Sequence, residues 1–125
     1  MDFNDHVGYA VLGFQDNRYV IRLEIAEHHR NRYGIVHGGV LFTMLDTAMS
    51  RAFFDTLPSE SNVGVTLEMK INYLKAADSG MLTAYGILVN STRRTAFVEG
   101  FIENEAGDLV AKATATMMLT GTSNG

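Results

Sequence analysis

Asn31-Arg32-Tyr33-Gly34-Ile35-Val36-His37-Gly38-Gly39 runs straight into Val40-Leu41-Phe42-Thr43-Met44-Leu45-Asp46. The first nine residues have the chemistry of a polar loop. The next seven are an apolar helix interrupted by one carboxylate. Gly38-Gly39 has no side chain to keep another group from the backbone. A helix that starts there leaves its first N–H groups without intrahelical partners. That end also carries partial positive charge, which suits an anion or a developing oxyanion. Loop, glycine pair, helix start and isolated carboxylate together mark a candidate site.

Downstream, Gly39 to about Leu57 is the only long helical pattern, with Leu, Met, Ala and Phe throughout and no later Gly or Pro. Thr43, Asp46, Thr47 and Ser50 fall on one polar stripe, and the remaining faces are apolar, so the helix must be largely covered. Pro58 to Asn62 reads as a loop. From Val63 the period changes to two. Val63, Val65, Leu67, Met69, Ile71 and Tyr73 share one face of a strand, and Thr66, Glu68, Lys70 and Asn72 share the other. Ala77-Asp78-Ser79-Gly80 is a turn, 81–90 a strand, Asn90 to Arg93 a turn, Thr95 to Glu103 a strand, Asn104 to Asp108 a turn and Leu109 to Leu119 the last strand. Upstream, residues 18–26 alternate with Tyr19, Ile21, Leu23 and Ile25 on one face. Residues 7–14 fit a strand or a short helix equally well. Residues 27–37 are a polar loop. Short turns imply antiparallel neighbours. The expected fold is α+β: an antiparallel sheet of five or six strands wrapped around one long central helix. One helix cannot close the edges of such a sheet, so the chain is expected to dimerise through an edge or through the helix side.

The 125 residues suit one domain spanning 1–125, with 120–125 a frayed tail. A hydrophobic content of 46% with 19% charged residues fits a packed core and excludes disorder. A net charge of -4 argues against a nucleic-acid binder. With no cysteine, disulfides, thiolate chemistry and cysteine-ligated zinc are excluded. Neither a signal peptide nor a membrane span is visible, so a cytoplasmic location is expected.

The motif residues are His29, Asn31, Gly34, His37, Gly38 and Gly39, then Asp46 after six intervening positions. With Gly64-Val65-Thr66 and Arg93-Arg94-Thr95-Ala96-Phe97-Val98-Glu99, this pattern resembles the hotdog-fold acyl-CoA thioesterases of the PaaI-like (phenylacetate-degradation) subfamily. The resemblance implies the hotdog fold and hydrolysis of an acyl-CoA thioester to a free acid and coenzyme A. It implies no metal and no cofactor beyond the coenzyme A of substrate and product. It also implies site residues. Gly38 offers its N–H to the thioester carbonyl, Asn31 helps polarise it, and His37 shapes the pocket. Asp46 acts as general base or nucleophile, and Thr66, at a position where many relatives have Ser, orients the water. Arg93, Arg94 and Thr95 are the candidates for holding coenzyme A phosphates, with Arg30 and Arg32 a second basic pair. Relatives often carry Gly where Thr92 stands.

A physical check bears on the oligomer. Gly38 and Asp46 are eight residues apart, so a straight helix separates them by roughly 12 Å along its axis. One thioester carbon cannot touch both. The expected site therefore takes Asp46 from a second copy, with a dimer as the minimum unit; a tetramer, as a dimer of dimers, is a further expectation that this spacing does not decide. Burial among apolar turns would also strengthen a carboxylate as a base.

Each residue has a plainer reading. Asp46 fits a solvated polar stripe, Gly38-Gly39 a simple hinge, Thr66 the polar face of a strand, and the arginines ordinary turn charges. His28, His29 and His37 match no common zinc spacing and read as solvated loop histidines. The competing function is a non-catalytic binding module for acyl-CoA or acyl carrier protein, which would have no need of a base.

Overall fold

The structure, a computed structural model, describes residues 1–57 and 64–119. The expected 58–62 loop, Val63 and the 120–125 tail lie outside these residues. The elements are α1 (Phe3–Val7), β1 (Ala10–Gln15), β2 (Arg18–Glu24), α2 (Gly38–Phe54), β3 (Gly64–Tyr73), β4 (Met81–Ser91), β5 (Thr95–Glu103) and β6 (Leu109–Leu119). The ambiguous 7–14 segment is the end of a short helix followed by a strand. Gly8, at φ +85°, ends α1. Asp16 and Asn17, both at positive φ, turn β1 into β2.

All six strands form one antiparallel sheet in the order β1-β2-β4-β5-β6-β3. The short-turn expectation fails at one connection: β3 pairs with β6 rather than with β4. Residues 74–80 make that crossing. Three strand spacings of about 4.8 Å must be covered, and seven extended residues reach further than that. The crossing stays on the sheet because its backbone finds partners on the way. Leu74 and Lys75 N–H donate to Val110 O, Ala77 O accepts from Val36, and Gly80 O accepts from Ile25.

The sheet curves around α2. Leu41, Met44, Leu45, Ala48, Met49, Ala52 and Phe53 are the buried face of the helix. Against them lie Ile21, Leu23, Leu82, Ala84, Val98, Ile102, Ala115 and Met117. Gly86 of β4 lets the sheet come against the helix backbone: a Cβ there would run into the backbone carbonyl of Ala48. The helix is not covered all round. Phe42 is exposed, and Thr43, Asp46, Thr47 and Ser50 are half-buried. The unpaired edges of the sheet are β1 and β3.

The even alternation expected along β3 is also broken. Thr66 faces Met117 and Glu68 faces Thr116, so Leu67 is an extra residue, a bulge. Before it Thr66 is half-buried while Val65 and Leu67 are exposed; after it Met69 and Ile71 turn inward. Tyr73, expected to share a face with Met69 and Ile71, is exposed as well.

Candidate active site

The loop before α2 is held by its own polar groups. Asn31 Oδ1 accepts from Tyr33 N at 2.9 Å and from Ile35 N at 3.4 Å, and Asn31 N donates to Ile35 O at 2.8 Å. Gly34, at φ +82°, donates to Asn31 O and closes the turn. The amide oxygen is thus used locally. The Nδ2 group makes no hydrogen bond among the described residues and remains a donor.

His29 is no solvated loop histidine. It is 3% exposed. Its Nδ1 accepts from Ala26 N at 2.9 Å, and Nε2 meets Val7 O at 2.6 Å, which fixes the ring proton on Nε2. Its carbonyl accepts from His37 N at 2.8 Å, so His29 braces the entry to the helix. His37 is the N-cap of α2: its Nδ1 accepts from Gly39 N at 2.8 Å. A side chain on Gly39 would crowd that ring, since its Cβ would lie 3.0 Å from Nδ1. Val40 N bonds His37 O. Gly38 N–H, the remaining amide of the first turn, has no partner among the described residues. Tyr73 OH donates to Gly38 O at 3.2 Å, with its ring packed on Gly38. Asn31, Ile35, Gly38, Leu41 and Tyr73 line one cavity of about 340 Å³.

Two turns further along α2, Thr66 Oγ1 donates to Asp46 Oδ1 at 3.0 Å. The bulge at Leu67 makes this possible, because it places Thr66 on the helix side of the sheet. The Arg93–Thr95 turn lies at the same end. Ala96 pairs with Met117, which pairs with Thr66, so the residue that follows the turn is two strands from Thr66, or about 10 Å. With Thr92 in place of glycine, the turn closes by another route: Thr92 N donates to Thr95 O at 2.7 Å, and Thr92 Oγ1 accepts from Thr95 N at 3.1 Å. Arg93 and Arg94 are exposed. Arg30 Nε is committed to Asp78 O, and Arg32 lies over the ring of Tyr33.

The predicted residues therefore fall into two groups. Asn31, His37 and Gly38 stand at the N-terminus of α2, beside Tyr73 at one end of β3. Asp46 and Thr66 stand two turns along, near the other end of β3, with the arginine turn on their side. One unbroken helix carries Gly38 and Asp46 and keeps them apart. Tyr73 was not among the predicted site residues; its position at the end of a strand gave no sign that it would reach the helix start. Among the described residues no group of three His, Asp or Glu is placed to hold a metal, and no helix is long and apolar enough to cross a membrane.

Comparison with known proteins gives this arrangement a context. The pattern of the thioesterase superfamily matches residues 33–111. A 1,4-dihydroxy-2-naphthoyl-CoA hydrolase of Listeria monocytogenes is 25% identical over 94% of each chain. A hypothetical thioesterase protein of Streptococcus pneumoniae, solved with coenzyme A, is 36% identical with a TM-score of 0.79, over 92% of this chain and 88% of that one. A mutant of the phenylacetic acid degradation protein PaaI from Thermus thermophilus is 28% identical with a TM-score of 0.81, over 93% of this chain and 96% of that one. The chain belongs to the thioesterase superfamily, as a hotdog-fold, PaaI-like thioesterase.

Proposed function

We propose that this chain hydrolyses acyl-CoA thioesters at a site built from two copies of itself. One observation carries the reading: a single α2 bears an oxyanion-donor group at its start and a carboxylate–hydroxyl pair two turns on, and cannot turn both toward one carbon. An antiparallel second helix would place its Asp46 opposite the first copy's Gly38.

In this site the thioester oxygen lies between Gly38 N–H and Asn31 Nδ2, which strengthen their hold as charge develops on it. His37 contributes by shaping and fixing the helix start. Thr66 occupies Oδ1 of Asp46 and leaves Oδ2 for the reaction. As general base, Asp46 takes a proton from water while the water oxygen bonds the acyl carbon. The tetrahedral intermediate then collapses, the carbon–sulfur bond breaks and the thiolate leaves with that proton. As nucleophile, Asp46 bonds the carbon itself, the carbon–sulfur bond breaks and the thiolate leaves, and water then opens the resulting anhydride at the Asp46 carbonyl carbon to release the acid. A single turnover in ¹⁸O-labelled water separates the two routes, since only the second leaves label in the enzyme carboxylate. Neither route calls for a cofactor. Arg93, Arg94 and Thr95, on the same side as the Asp46–Thr66 pair, are the groups assigned in this reading to the coenzyme A phosphates.

The test uses thiol release from a panel of acyl-CoAs. Asp46→Asn should lose roughly 10²–10⁴-fold in kcat with the fold intact. An undiminished rate refutes the assignment. Mixing Asp46→Asn with Asn31→Ala, each inactive alone, should restore about a quarter of the sites if they are shared across a two-fold dimer; no restoration refutes sharing. Tight acyl-CoA binding by the unaltered chain with no thiol release would instead support the binding-module alternative, against which the intact Asp46–Thr66 pair argues.

A further inference from the structure

A second cavity, of about 350 Å³, lies near the start of α2. All four histidines of the chain line it: His6, His28, His29 and His37. Arg30 lines it too, and none of its lining residues is acidic, although the chain carries four net negative charges. Phe3, Val7 and Val40 supply an apolar wall. Its size is at the lower end of the roughly 300–1,000 Å³ of small-molecule pockets.

The hydrogen bonds determine which polar atoms are left for a ligand. His29 has both ring nitrogens committed and serves only as wall. His28 Nε2 is engaged with His6 O at 3.1 Å. His37 Nδ1 accepts from Gly39, so the neutral ring carries its proton on Nε2 and can donate there. Arg30 spends Nε on Asp78 O at 2.7 Å, and its two terminal nitrogens have no carboxylate partner among the described residues. The remaining polar inventory is the Arg30 cation and the His37 Nε2 donor beside an apolar wall, since His28, with Nε2 donating to the His6 carbonyl, keeps only an accepting Nδ1. That combination matches a carboxylate on a short hydrocarbon body.

We propose that this cavity binds a free, small aliphatic or arylaliphatic carboxylic acid in its anionic form, with Arg30 and His37 Nε2 on the carboxylate and Phe3, Val7 and Val40 on the hydrocarbon. The site does not depend on the thioesterase reading, because it is defined by binding without turnover. It has a consequence if that reading holds: the ligand class is that of the acid the reaction releases, and His37, the cap of α2, forms one wall.

The four histidine rings are the probes. In the full chain carrying ¹³C-labelled histidine, sodium hexanoate should shift the His6, His28 and His37 ring signals saturably. Hexanamide, of the same shape but uncharged, should bind at least about tenfold more weakly, the scale of one lost charge-assisted hydrogen bond. Arg30→Gln should weaken hexanoate about tenfold while the His29 signal stays in place and reports an intact fold. Equal shifts with hexanamide, no saturation, or an unaltered affinity in a folded Arg30→Gln variant each overturn the proposal. So does coenzyme A moving the same rings in competition with hexanoate, which would reassign the cavity to phosphate. The comparison of hexanoate with hexanamide needs no substitution, so it stands even if Arg30→Gln does not fold.

Discussion

Replacing Thr66 by Val removes one hydroxyl and keeps the branched shape. The hydroxyl lies 3.0 Å from Asp46 Oδ1 and is the donor to that carboxylate among the described residues. A hydrogen bond to a charged group contributes roughly 1.5–3 kcal/mol. If the bond holds Asp46 in its reacting position, its full value is lost from the transition state. At about 1.4 kcal/mol per decade, kcat/KM then falls about 10- to 150-fold. Unfolding stability should fall by less than the value of this bond, because the half-buried Asp46 carboxylate can turn toward water in the free variant and valine suits an edge strand. The assay is thiol release under kcat/KM conditions, with circular dichroism and thermal melts on the same samples. Thr66→Ser, which keeps the hydroxyl, should recover most of the rate. A Thr66→Val enzyme within twofold of the original rate would refute the reasoning and return Thr66 to an ordinary strand residue. So would a Thr66→Ser variant as slow as Thr66→Val.

Further outcomes follow from other contacts. Gly86→Ala sets a Cβ against the Ala48 carbonyl and 2.8 Å from Met49 N, where backbone cannot give way; urea unfolding should show a loss of roughly 1–3 kcal/mol or more, and a neutral result would mean that α2 lies further from β4. Arg93→Ala with Arg94→Ala should raise KM for acyl-CoA about fivefold at low salt, with kcat unchanged and the difference shrinking as salt is added; a loss confined to kcat would remove these residues from the phosphates. The hydrogen bond from Lys75, with a smaller one from Asn104, holds the Asp108 carboxyl below its ordinary value. The stabilisation from such a depressed group is complete above the unfolded-state value and is lost as pH falls through the folded one. Lys75→Met should therefore move the acid-unfolding midpoint to higher pH at low salt, and an unmoved midpoint would show that the pair contributes nothing measurable.

What could be read from residue order alone was whatever depends on neighbours in the chain. The period along 39–57 announced α2, and the period-two runs announced β4, β5 and β6. The spacing from His29 to Asp46 announced the family and the candidate residues. Even the separation of Gly38 from Asp46 followed from the rise of a helix. Tertiary structure decided the rest, because it depends on groups distant in sequence. The edge position of β3 required a crossing paid out along Val110, Val36 and Ile25. The inward face of Thr66 came from one extra residue at Leu67, which reverses which side chains meet the helix, and no local pattern marks a bulge. Likewise His29 became a buried brace only because α1 brought the Val7 carbonyl to it, and Tyr73 came to lie on Gly38 only because the sheet wrapped the helix. Side-chain types and their spacing are local, whereas facing and burial are set by whatever packs opposite.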